Sequence, residues 1–350
     1  MTETVAEPAV EVIDLVKHYR AGVGIAGIAG RGSVVHAVDG VSFSLRRGEV
    51  LGLVGESGSG KSTIAKCILR LIEPTAGTIR LTGTDITHLS RRAMRPLRRE
   101  LHIVFQDPFS SLNPRMTCGD IVGEPLRLHR LARGQLLDAR VAEMLDLVGL
   151  HPELRYRYPH ELSGGERQRV ALGRALILNP SVLIADEPVS ALDVSVKASI
   201  LNLLRDLQQH LGFSCLFITH DLATVEYLCD RVAVTYLGKV VESASTVELF
   251  RAPQHPYTQA LLSAAAVADP SAQRGRRSVV LDSDPPSPLA PPSGCRFRTR
   301  CPLEPQSAPR SSEEEPLLRE FAPGHLVACH LVARGQPAPR LVPFTRDPVR

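Results

Sequence analysis

Residues that can bind phosphate occur in one glycine-rich segment, Gly55-Glu56-Ser57-Gly58-Ser59-Gly60-Lys61-Ser62. The segment matches the pattern G-x-x-x-x-G-K-[ST], whose backbone N–H groups converge on phosphate oxygens. It lies between an apolar run, Val50 to Val54, and a helical pattern from Ser62 to Leu71, which would place the phosphates at a helix N-terminus. Lys61 would pair with the β and γ phosphates, and the Ser62 hydroxyl would ligate Mg²⁺. The flanking strand and helix argue against the alternative, a plain Gly/Ser turn with a surface lysine.

Two adjacent acids, Asp186 and Glu187, end another apolar run, Val182 to Ala185. A parallel sheet would deliver them beside the phosphate loop. Asp186 would then join the shell of Mg²⁺, and Glu187 could polarise an attacking water. Many buried strands end in a surface acid, so the pattern indicates phosphate chemistry only in combination with the loop.

A second glycine pair follows a serine in Leu162-Ser163-Gly164-Gly165-Glu166, at the start of a helical pattern. A serine and two glycines at a helix N-terminus can form another phosphate cradle. Ser163 and Glu166 also have the spacing of a capping box, which would make the segment a simple N-cap. The residues alone leave both interpretations open.

The elements that position these residues alternate between strand and helix, which predicts a largely parallel α/β sheet. The segment between Leu101 and Val182 is almost purely helical, so we expect a helical subdomain inserted at about 107–180. The composition shifts after residue 268, with DPPSPLAPPSG at 284–294. We therefore expect a main domain over 1–268, and a Pro-rich linker with a small irregular C-terminal extension over 269–350. Further strand-like runs are Leu101 to Phe105, Ser214 to Thr219 and Arg231 to Tyr236, and further helical patterns are Glu166 to Ile177 and Ser195 to Leu211.

The composition excludes several classes of protein. The chain has 350 residues, 43% of them hydrophobic, and a net charge of only +4, which is typical of a globular protein and not of a disordered one. The weak positive charge and 4% aromatic content disfavour a nucleic-acid reader. No apolar stretch approaches the roughly 20 residues that a membrane helix needs, and the N-terminus lacks a signal-peptide pattern. We expect a cytoplasmic protein with reduced thiols.

In their order along the chain, these motifs resemble the nucleotide-binding domain of the ABC transporter family over roughly residues 10–265. Leu162 to Glu166 is similar to the family's signature motif, Ser190-Ala191-Leu192-Asp193 to its D-loop, and Gln106 to its Q-loop glutamine. His220 resembles the switch histidine. Tyr19 occupies the position of the aromatic residue that stacks on adenine. The resemblance implies a P-loop NTPase core of ABC ATPase type, with ATP and Mg²⁺ as ligands.

What the resemblance implies for mechanism goes beyond any single motif. Two such domains would pack head to tail, so that Ser163, Gly164 and Gly165 of one close over ATP held by the other. Hydrolysis and product release would let the pair open. His220 would contact the γ-phosphate, and Gln106 would link the nucleotide state to the helical subdomain. The residues assigned to catalysis are Glu187, His220 and Gln106, those assigned to Mg²⁺ are Ser62, Gln106 and Asp186, and those assigned to nucleotide are Tyr19, the loop from Gly55 to Ser62, Thr63, Ser163, Gly164, Gly165 and Asp193.

Three further segments resemble the ATPase subunits of dipeptide/oligopeptide importers. They are Phe105-Gln106-Asp107-Pro108-Phe109-Ser110-Ser111-Leu112-Asn113-Pro114-Arg115-Met116, His255-Pro256-Tyr257-Thr258-Gln259-Ala260-Leu261-Leu262, and the tail from Pro291 to Pro302. Nickel importers share much of this architecture, so nickel or another small solute is the alternative cargo. A soluble, non-transport ABC ATPase is a more distant alternative, and so is a regulatory module with little turnover.

The partners and the location follow from the same resemblance. We expect a second ABC ATPase subunit, in a heterodimer, and two membrane permease subunits, with a solute-binding protein acting indirectly. Nucleic acid is not expected as a partner. The residues after Gln106 and the helix near Ile121 to Leu131 would receive a permease coupling helix. The chain would lie peripherally on the cytoplasmic face of the cell membrane.

The tail raises the question of an iron–sulfur cluster, which some members of this subfamily bind through four cysteines. Cys295, Cys301 and Cys329 are present, whereas the remaining cysteine would fall near Ala308 and is absent. A cluster usually takes four thiolates, so one iron would lack its ligand. His325 or His330 could substitute, and Cys₃His would also suit Zn²⁺. Reduced thiols without a metal are the other interpretation. Cys67, Cys118, Cys215 and Cys229 are expected to be small buried residues.

Overall fold

The computed structural model describes residues 7–20, 33–107, 111–264, 281, 283–337 and 339–341. Pro108, Phe109 and Ser110 of the peptide-importer segment and most of the expected linker therefore lie outside the described residues. The chain divides into two compact units. The first unit comprises Met1–Val10, Leu45–Val50 and Leu81–Ile218, and the second comprises Glu11–Ser44, Leu51–Arg80 and Thr219–Arg350.

The described residues form the following elements. The strands are β1 Val10–Arg20, β2 Val34–Leu45, β3 Val50–Val54, β4 Ala76–Leu81, β5 Thr84–Asp85, β6 Leu101–Val104, β7 Val182–Asp186, β8 Ser214–Thr219, β9 Arg231–Tyr236, β10 Lys239–Ser245, β11 Arg319–Ala322 and β12 His325–Val327. The helices are α1 Lys61–Ile68, α2 Arg91–Leu97, α3 Cys118–Leu128, α4 Gly134–Leu147, α5 Gly164–Leu176, α6 Val194–Leu211, α7 Leu222–Leu228, α8 Thr246–Arg251, α9 Pro256–Ala264, α10 Glu304–Ser307 and α11 Arg310–Glu313.

Parallel strands form the sheet of the first unit. β6 pairs with β7, and β7 pairs with β8, with Leu101 opposite Val182 and Val182 opposite Ser214. All residues of β7 and β8 are buried. Strands without a polar face are typical of a parallel sheet covered on both sides. Their carboxyl ends meet at one edge, which is where Asp186 and Glu187 lie.

Helices α3, α4 and α5 pack together in the first unit. Small residues let them approach closely. A Cβ added to Gly123 would lie 3.1 Å from side-chain atoms of Leu137 and Val141, and one added to Gly173 would lie 3.4 Å from Met144. In the described part of the range 107–180 no strand interrupts these helices.

The second unit contains two sets of strands. One has the order β2, β1, β4, and the other has the order β11, β12, β10, β9, β3. β3 and β9 are parallel, whereas β9 and β10 form a hairpin. Its two-residue turn, Leu237 and Gly238, has φ values of 42° and 76°. Positive φ at both positions is the geometry of a type I′ hairpin turn, which matches the twist of the strands.

The C-terminal extension is more regular than its composition predicts. β11 and β12 form an antiparallel pair, and β12 pairs with β10, with Glu242 opposite Val327. The extension therefore continues a sheet of the second unit. Among the described residues, no helix combines the length and the apolar character that crossing a membrane requires.

Candidate functional site

The phosphate loop lies in the second unit between β3 and α1, and its glycines are required by the backbone. Gly55 has φ 155°, and a Cβ there would lie 2.2 Å from the Thr235 carbonyl oxygen. Gly60 has φ 101°, and a Cβ there would lie 2.3 Å from the carbonyl oxygen of Ala37. No side chain fits at either position, so both glycines let the loop curve tightly against its neighbours.

Lys61 is the first residue of α1, and its side chain turns back into the loop. The residue is 5% exposed, and Nζ donates to the carbonyl oxygens of Gly55, at 2.8 Å, and Glu56, at 2.9 Å. The ammonium group is thus held among the loop residues, where it can exchange these carbonyls for phosphate oxygens. Ser62 and Thr63 follow in the first turn of the helix, and Ser57 and Gly58 are exposed at the loop tip.

Two more predicted residues lie in the second unit with this loop. Tyr19, near the end of β1, is 37% exposed, and Lys17 Nζ lies 5.0 Å from its ring centroid. An exposed aromatic ring offers a surface on which a base can stack. His220 is exposed directly after β8, next to Asp221, which accepts from Ala223 N at the start of α7. The turn from strand to helix therefore presents the imidazole at the surface.

The first unit holds the predicted acids at the end of β7. Asp186 is buried as the last residue of the strand, and Glu187 follows with φ 48°. Its N–H donates to Ile218 O at 2.9 Å, and its carbonyl accepts from Ser190 N at 3.2 Å. A non-glycine residue with positive φ is strained, and such strain is concentrated at functional sites. The backbone conformation thus fixes the position from which the Glu187 side chain extends.

Gln106 and Glu187 are brought together. Gln106 Nε2 donates to Glu187 Oε2 at 3.1 Å. β6 and β7 are adjacent and parallel, so residues just beyond their carboxyl ends become neighbours although 81 positions separate them in the chain. The amide orients a carboxylate that the sequence assigns to polarising water.

Ser163 and Glu166 form the capping box that the sequence left as one alternative. Ser163 is the N-cap of α5, Glu166 N donates to its Oγ, and Glu166 Oε2 accepts from Ser163 N at 2.8 Å. Hydrogen bonds from the side chain and backbone of Ser163 lower the pKa of Glu166. The exposed serine still lies at a helix N-terminus, so capping and phosphate binding are compatible here.

The two signature glycines lie against the start of α6. A Cβ on Gly165 would lie 2.8 Å from Val196 Cγ1, whereas one on Gly164 would lie 3.4 Å from Leu192 Cδ2. Leu192 belongs to the D-loop, whose Asp193 is the N-cap of α6. This packing of the signature motif on the D-loop segment was not predicted, because no local pattern reports it.

The three cysteines of the extension, Cys295, Cys301 and Cys329, are free thiols of intermediate exposure. Burial raises the pKa of Cys295, that of Cys301 to about 11 and that of Cys329 to about 12. Nε2 of His325 contacts Glu242 Oε1 at 2.7 Å, and Nε2 of His330 contacts Glu314 O at 2.9 Å. Among the residues that the structure describes, these thiols and imidazoles do not form a group close enough to hold one metal ion, and with alanine at position 308 the fourth cysteine of an iron–sulfur cluster is missing.

A different group, in the part of the chain that the structure describes, has ligand atoms close enough for a single ion, namely His18, His36 and Asp39. Its carboxylate is already neutralised by Arg296, which donates to Asp39 Oδ2. Burial raises the pKa of Asp39, but Arg296 and His18 outweigh it and the pKa lies below its usual value. The carboxylate of this group therefore forms an ion pair with Arg296.

The four remaining cysteines, Cys67, Cys118, Cys215 and Cys229, are buried as predicted. Two residues without a predicted role contact the phosphate loop. Tyr257 Oη accepts from Glu56 N at 3.0 Å, and Arg300 donates to Glu56 Oε2 at 2.8 Å. Both belong to segments quoted for the peptide-importer resemblance. Nothing in their spacing indicates the contact, because 201 and 244 positions separate them from Glu56.

Two family models match the chain. The model described as ABC transporter matches residues 38–190, and the model described as oligopeptide/dipeptide transporter, C-terminal region, matches residues 241–307. The putative peptide import ATP-binding protein of Brucella ovis is 51% identical over 329 residues, covering 94% of this chain and 98% of that protein. This chain belongs to the ABC transporter family. It is an ABC ATPase that binds ATP, and ATP hydrolysis coupled to transport is the activity of its family.

Other similar proteins support the same placement. The oligopeptide transport ATP-binding protein AppF of Bacillus subtilis is 50% identical, covering 85% of this chain and 90% of that protein. Among solved structures, the ABC cassette MJ0796 in a dimeric post-hydrolysis state with ADP and Pi is 29% identical, with a TM-score of 0.60. The structural match covers 68% of this ABC ATPase and 98% of the cassette. The ABC ATPase fold predicted from the sequence is confirmed.

Proposed function

We propose that this ABC ATPase energises the import of dipeptides and oligopeptides. The observation that carries the proposal is the match of residues 241–307 to the oligopeptide/dipeptide transporter C-terminal region. Relatives similar over almost their whole length carry names such as putative oligopeptide transport ATP-binding protein, as in YkfD of Bacillus subtilis, which is 47% identical. The same motifs would serve a nickel importer, so nickel is the cargo against which peptides are tested.

The reaction is phosphoryl transfer from ATP to water. The phosphate loop and Lys61 bind the phosphates, and Tyr19 stacks on adenine. Ser62, Asp186 and Gln106 would supply oxygen ligands for Mg²⁺, and the bound ion would offset negative charge on the phosphates. Glu187 polarises the attacking water, and its orientation by Gln106 supports that role. His220 contacts the γ-phosphate.

Completion of the site by a second ATPase subunit is part of the proposal. Ser163, Gly164 and Gly165 at the N-terminus of α5 close over the ATP held by the partner, and Asp193 is assigned to the same nucleotide site. The exposed serine and the helix N-terminus support this assignment. We propose a heterodimer of two related ATPases.

The remaining partners are membrane proteins. Two permease subunits would carry the solute, and each would insert a coupling helix beside the residues that follow Gln106 and the helix α3. A separate solute-binding protein would select the peptide. The assembly places this chain on the cytoplasmic face of the membrane.

The test is uptake of labelled dipeptides and oligopeptides, with nickel as a parallel solute, in the host carrying the wild-type chain or Lys61→Ala. Lys66→Ala is the matched control, because Lys66 is an exposed lysine of the same helix α1. We expect Lys61→Ala to abolish peptide uptake alone. Loss of nickel uptake alone would make nickel the cargo, and unchanged uptake of every solute, in a host without a redundant ATPase, would overturn a transport role.

A further inference from the structure

The phosphate loop of the second unit is contacted by an arginine of the C-terminal extension. Arg300 NH1 donates to Glu56 Oε2 at 2.8 Å, and the side chains are 6% and 27% exposed, respectively. Such a partly buried, charge-assisted bond is stronger than an ion pair in open solvent. Glu56 is the residue directly after Gly55 in the loop, so the bond acts on the loop itself.

Glu56 is held at its backbone as well. Its N–H donates to Tyr257 Oη at 3.0 Å, and its carbonyl accepts from Lys61 Nζ at 2.9 Å and from Ser59 N at 3.2 Å. Both backbone polar groups of Glu56 are therefore hydrogen-bonded, and Arg300 restrains its side chain as well. A shift of Glu56 would move the carbonyl that holds Lys61.

The part of the extension that bears Arg300 is firmly seated. Phe297 is buried and packs against Tyr236 and Tyr257, with ring centroids 5.3 Å and 5.4 Å apart. On the same segment Arg296 is bound to Asp39. The guanidinium group of Arg300 also lies 5.8 Å from the centroid of the Tyr236 ring. These contacts hold the segment that carries Arg300 in place.

The Pro-rich stretch of the extension flanks the same loop. Residues 285–288 and 56–59 line a cavity of about 240 Å³ together with Tyr236 and Leu237. The Pro288 carbonyl accepts from His36 N at 2.9 Å, which ties this stretch to β2. Both the Arg300 segment and the Pro-rich stretch therefore adjoin the phosphate loop.

We propose that Arg300 is a positioning residue for ATP binding, through which the C-terminal extension sets the affinity of the phosphate loop for ATP. The inference rests on the ATP site described above and deepens its regulation. A carboxylate at Glu56 repels the triphosphate that the loop must bind. Arg300 neutralises that charge and fixes the loop at the same time. Without Arg300, the carboxylate would lie beside the phosphates uncompensated.

The experiment measures KM for Mg·ATP and kcat with the full-length chain and its partner subunits. We expect Arg300→Ala to raise KM about tenfold while kcat changes less than about twofold, because Glu187 and Gln106 are untouched. Arg300→Lys, which keeps the charge, should raise KM less. Arg310→Ala is the control, since this arginine of the extension makes an exposed ion pair with Glu314 and should leave KM unchanged.

A second substitution separates positioning from general damage. Adding Glu56→Gln to Arg300→Ala removes the uncompensated charge and should return KM to within about threefold of the wild-type value. An unchanged KM in Arg300→Ala would overturn the proposal, and so would a double variant no better than Arg300→Ala alone. If Arg300→Ala does not fold, Arg300→Lys and Arg300→Gln are compared in the same way. The test measures ATP kinetics and not transport. If the wild-type protein hydrolyses ATP normally but does not support peptide uptake, only the proposed cargo is contradicted.

Discussion

The amide of Gln106 donates a hydrogen bond to the carboxylate of Glu187 at 3.1 Å. Glu187 has little freedom of its own, because its φ of 48° and its backbone bonds fix the Cα position. The hydrogen bond from Gln106 therefore determines which of the remaining orientations the Glu187 side chain adopts. A movement of the segment after β6 would be transmitted to the Glu187 carboxylate through this hydrogen bond.

We predict that the effects of Glu187→Gln and Gln106→Ala on kcat are not additive. Glu187→Gln removes the group that polarises water and should lower kcat by about 10²-fold or more, whereas Gln106→Ala removes the amide that orients Glu187 and one proposed Mg²⁺ ligand and should lower kcat about tenfold. The double variant should lose clearly less than the product of the two single losses. Steady-state ATPase assays check this, with exposed Glu143→Gln as a control. Multiplying losses would mean that Gln106 acts independently of Glu187.

We predict that Gly165→Ala inactivates the ATPase and that Val196→Ala restores it. The new methyl group would lie 2.8 Å from Val196 Cγ1, which forces the signature helix α5 away from α6. kcat should fall about tenfold or more, with ATP binding to the chain itself retained. Gly164→Ala, whose methyl would lie 3.4 Å from Leu192, tests the matching position. If Val196→Ala restores nothing, the clash is not the cause of the loss.

We predict that His325→Ala destabilises the fold by about 3 kcal/mol and lowers Tm by roughly 5–10 °C. The side chains of Glu242 and His325 are 0% and 4% exposed and lie 2.7 Å apart, so removal of the imidazole leaves a buried carboxylate with fewer partners. Two backbone N–H groups, of Gln254 and His255, remain bound to Glu242. Thermal unfolding measures the change, and exposed His160→Ala should leave Tm within about 1 °C. An equal decrease of Tm in both variants would mean that the buried contact between His325 and Glu242 does not stabilise the fold.

We predict that part of the stability is lost as the pH falls from 6.5 toward 4. Burial lowers the pKa of His255 from 6.5 to about 4, with Glu242 opposing the shift, so the unfolded chain takes up this proton first. Stability from this residue is therefore complete above pH 6.5 and decreases by about 2 kcal/mol by about pH 5.

His255→Asn tests this pH dependence, because asparagine can still accept the bond from Tyr257 N that His255 Nδ1 accepts at 3.0 Å. Denaturant unfolding of both proteins at about pH 7.5 and about pH 5 gives the comparison. The loss of unfolding free energy between these conditions should be about 2 kcal/mol smaller in the variant. Equal losses would assign the pH dependence to other groups, such as His102, whose pKa burial also lowers to about 4.

Much of the site could be predicted because its motifs are local. The phosphate loop adjoins β3 and α1 in the chain, and Asp186 and Glu187 are the last residue of β7 and the residue after it. β8 and β9 have the predicted bounds, Ser214–Thr219 and Arg231–Tyr236, because all of β8 and all of β9 after Arg231 is a continuous buried run.

The contacts of the C-terminal extension could not be predicted in this way. β10 contains the fully buried Glu242, which breaks its apolar pattern, and β11 and β12 are only four and three residues long. Arg300 meets Glu56 across 244 positions, and nothing in either segment identifies the other. Such pairings depend on the complete fold and not on periodicity.

The hairpin of β11 and β12 also bears on the solubility of the isolated ATPase domain. β12 covers part of the outer side of β10, and the strand exposed beyond it, β11, is short and carries the exposed charges Arg319 and Glu320. Short, charged edge strands resist pairing with other chains. A protein cut near residue 268 would expose β10, five of whose seven residues are buried. The unpaired N–H and C=O groups of β10 could then pair with a strand of another molecule and cause aggregation. The extension therefore protects this edge of the sheet from self-association.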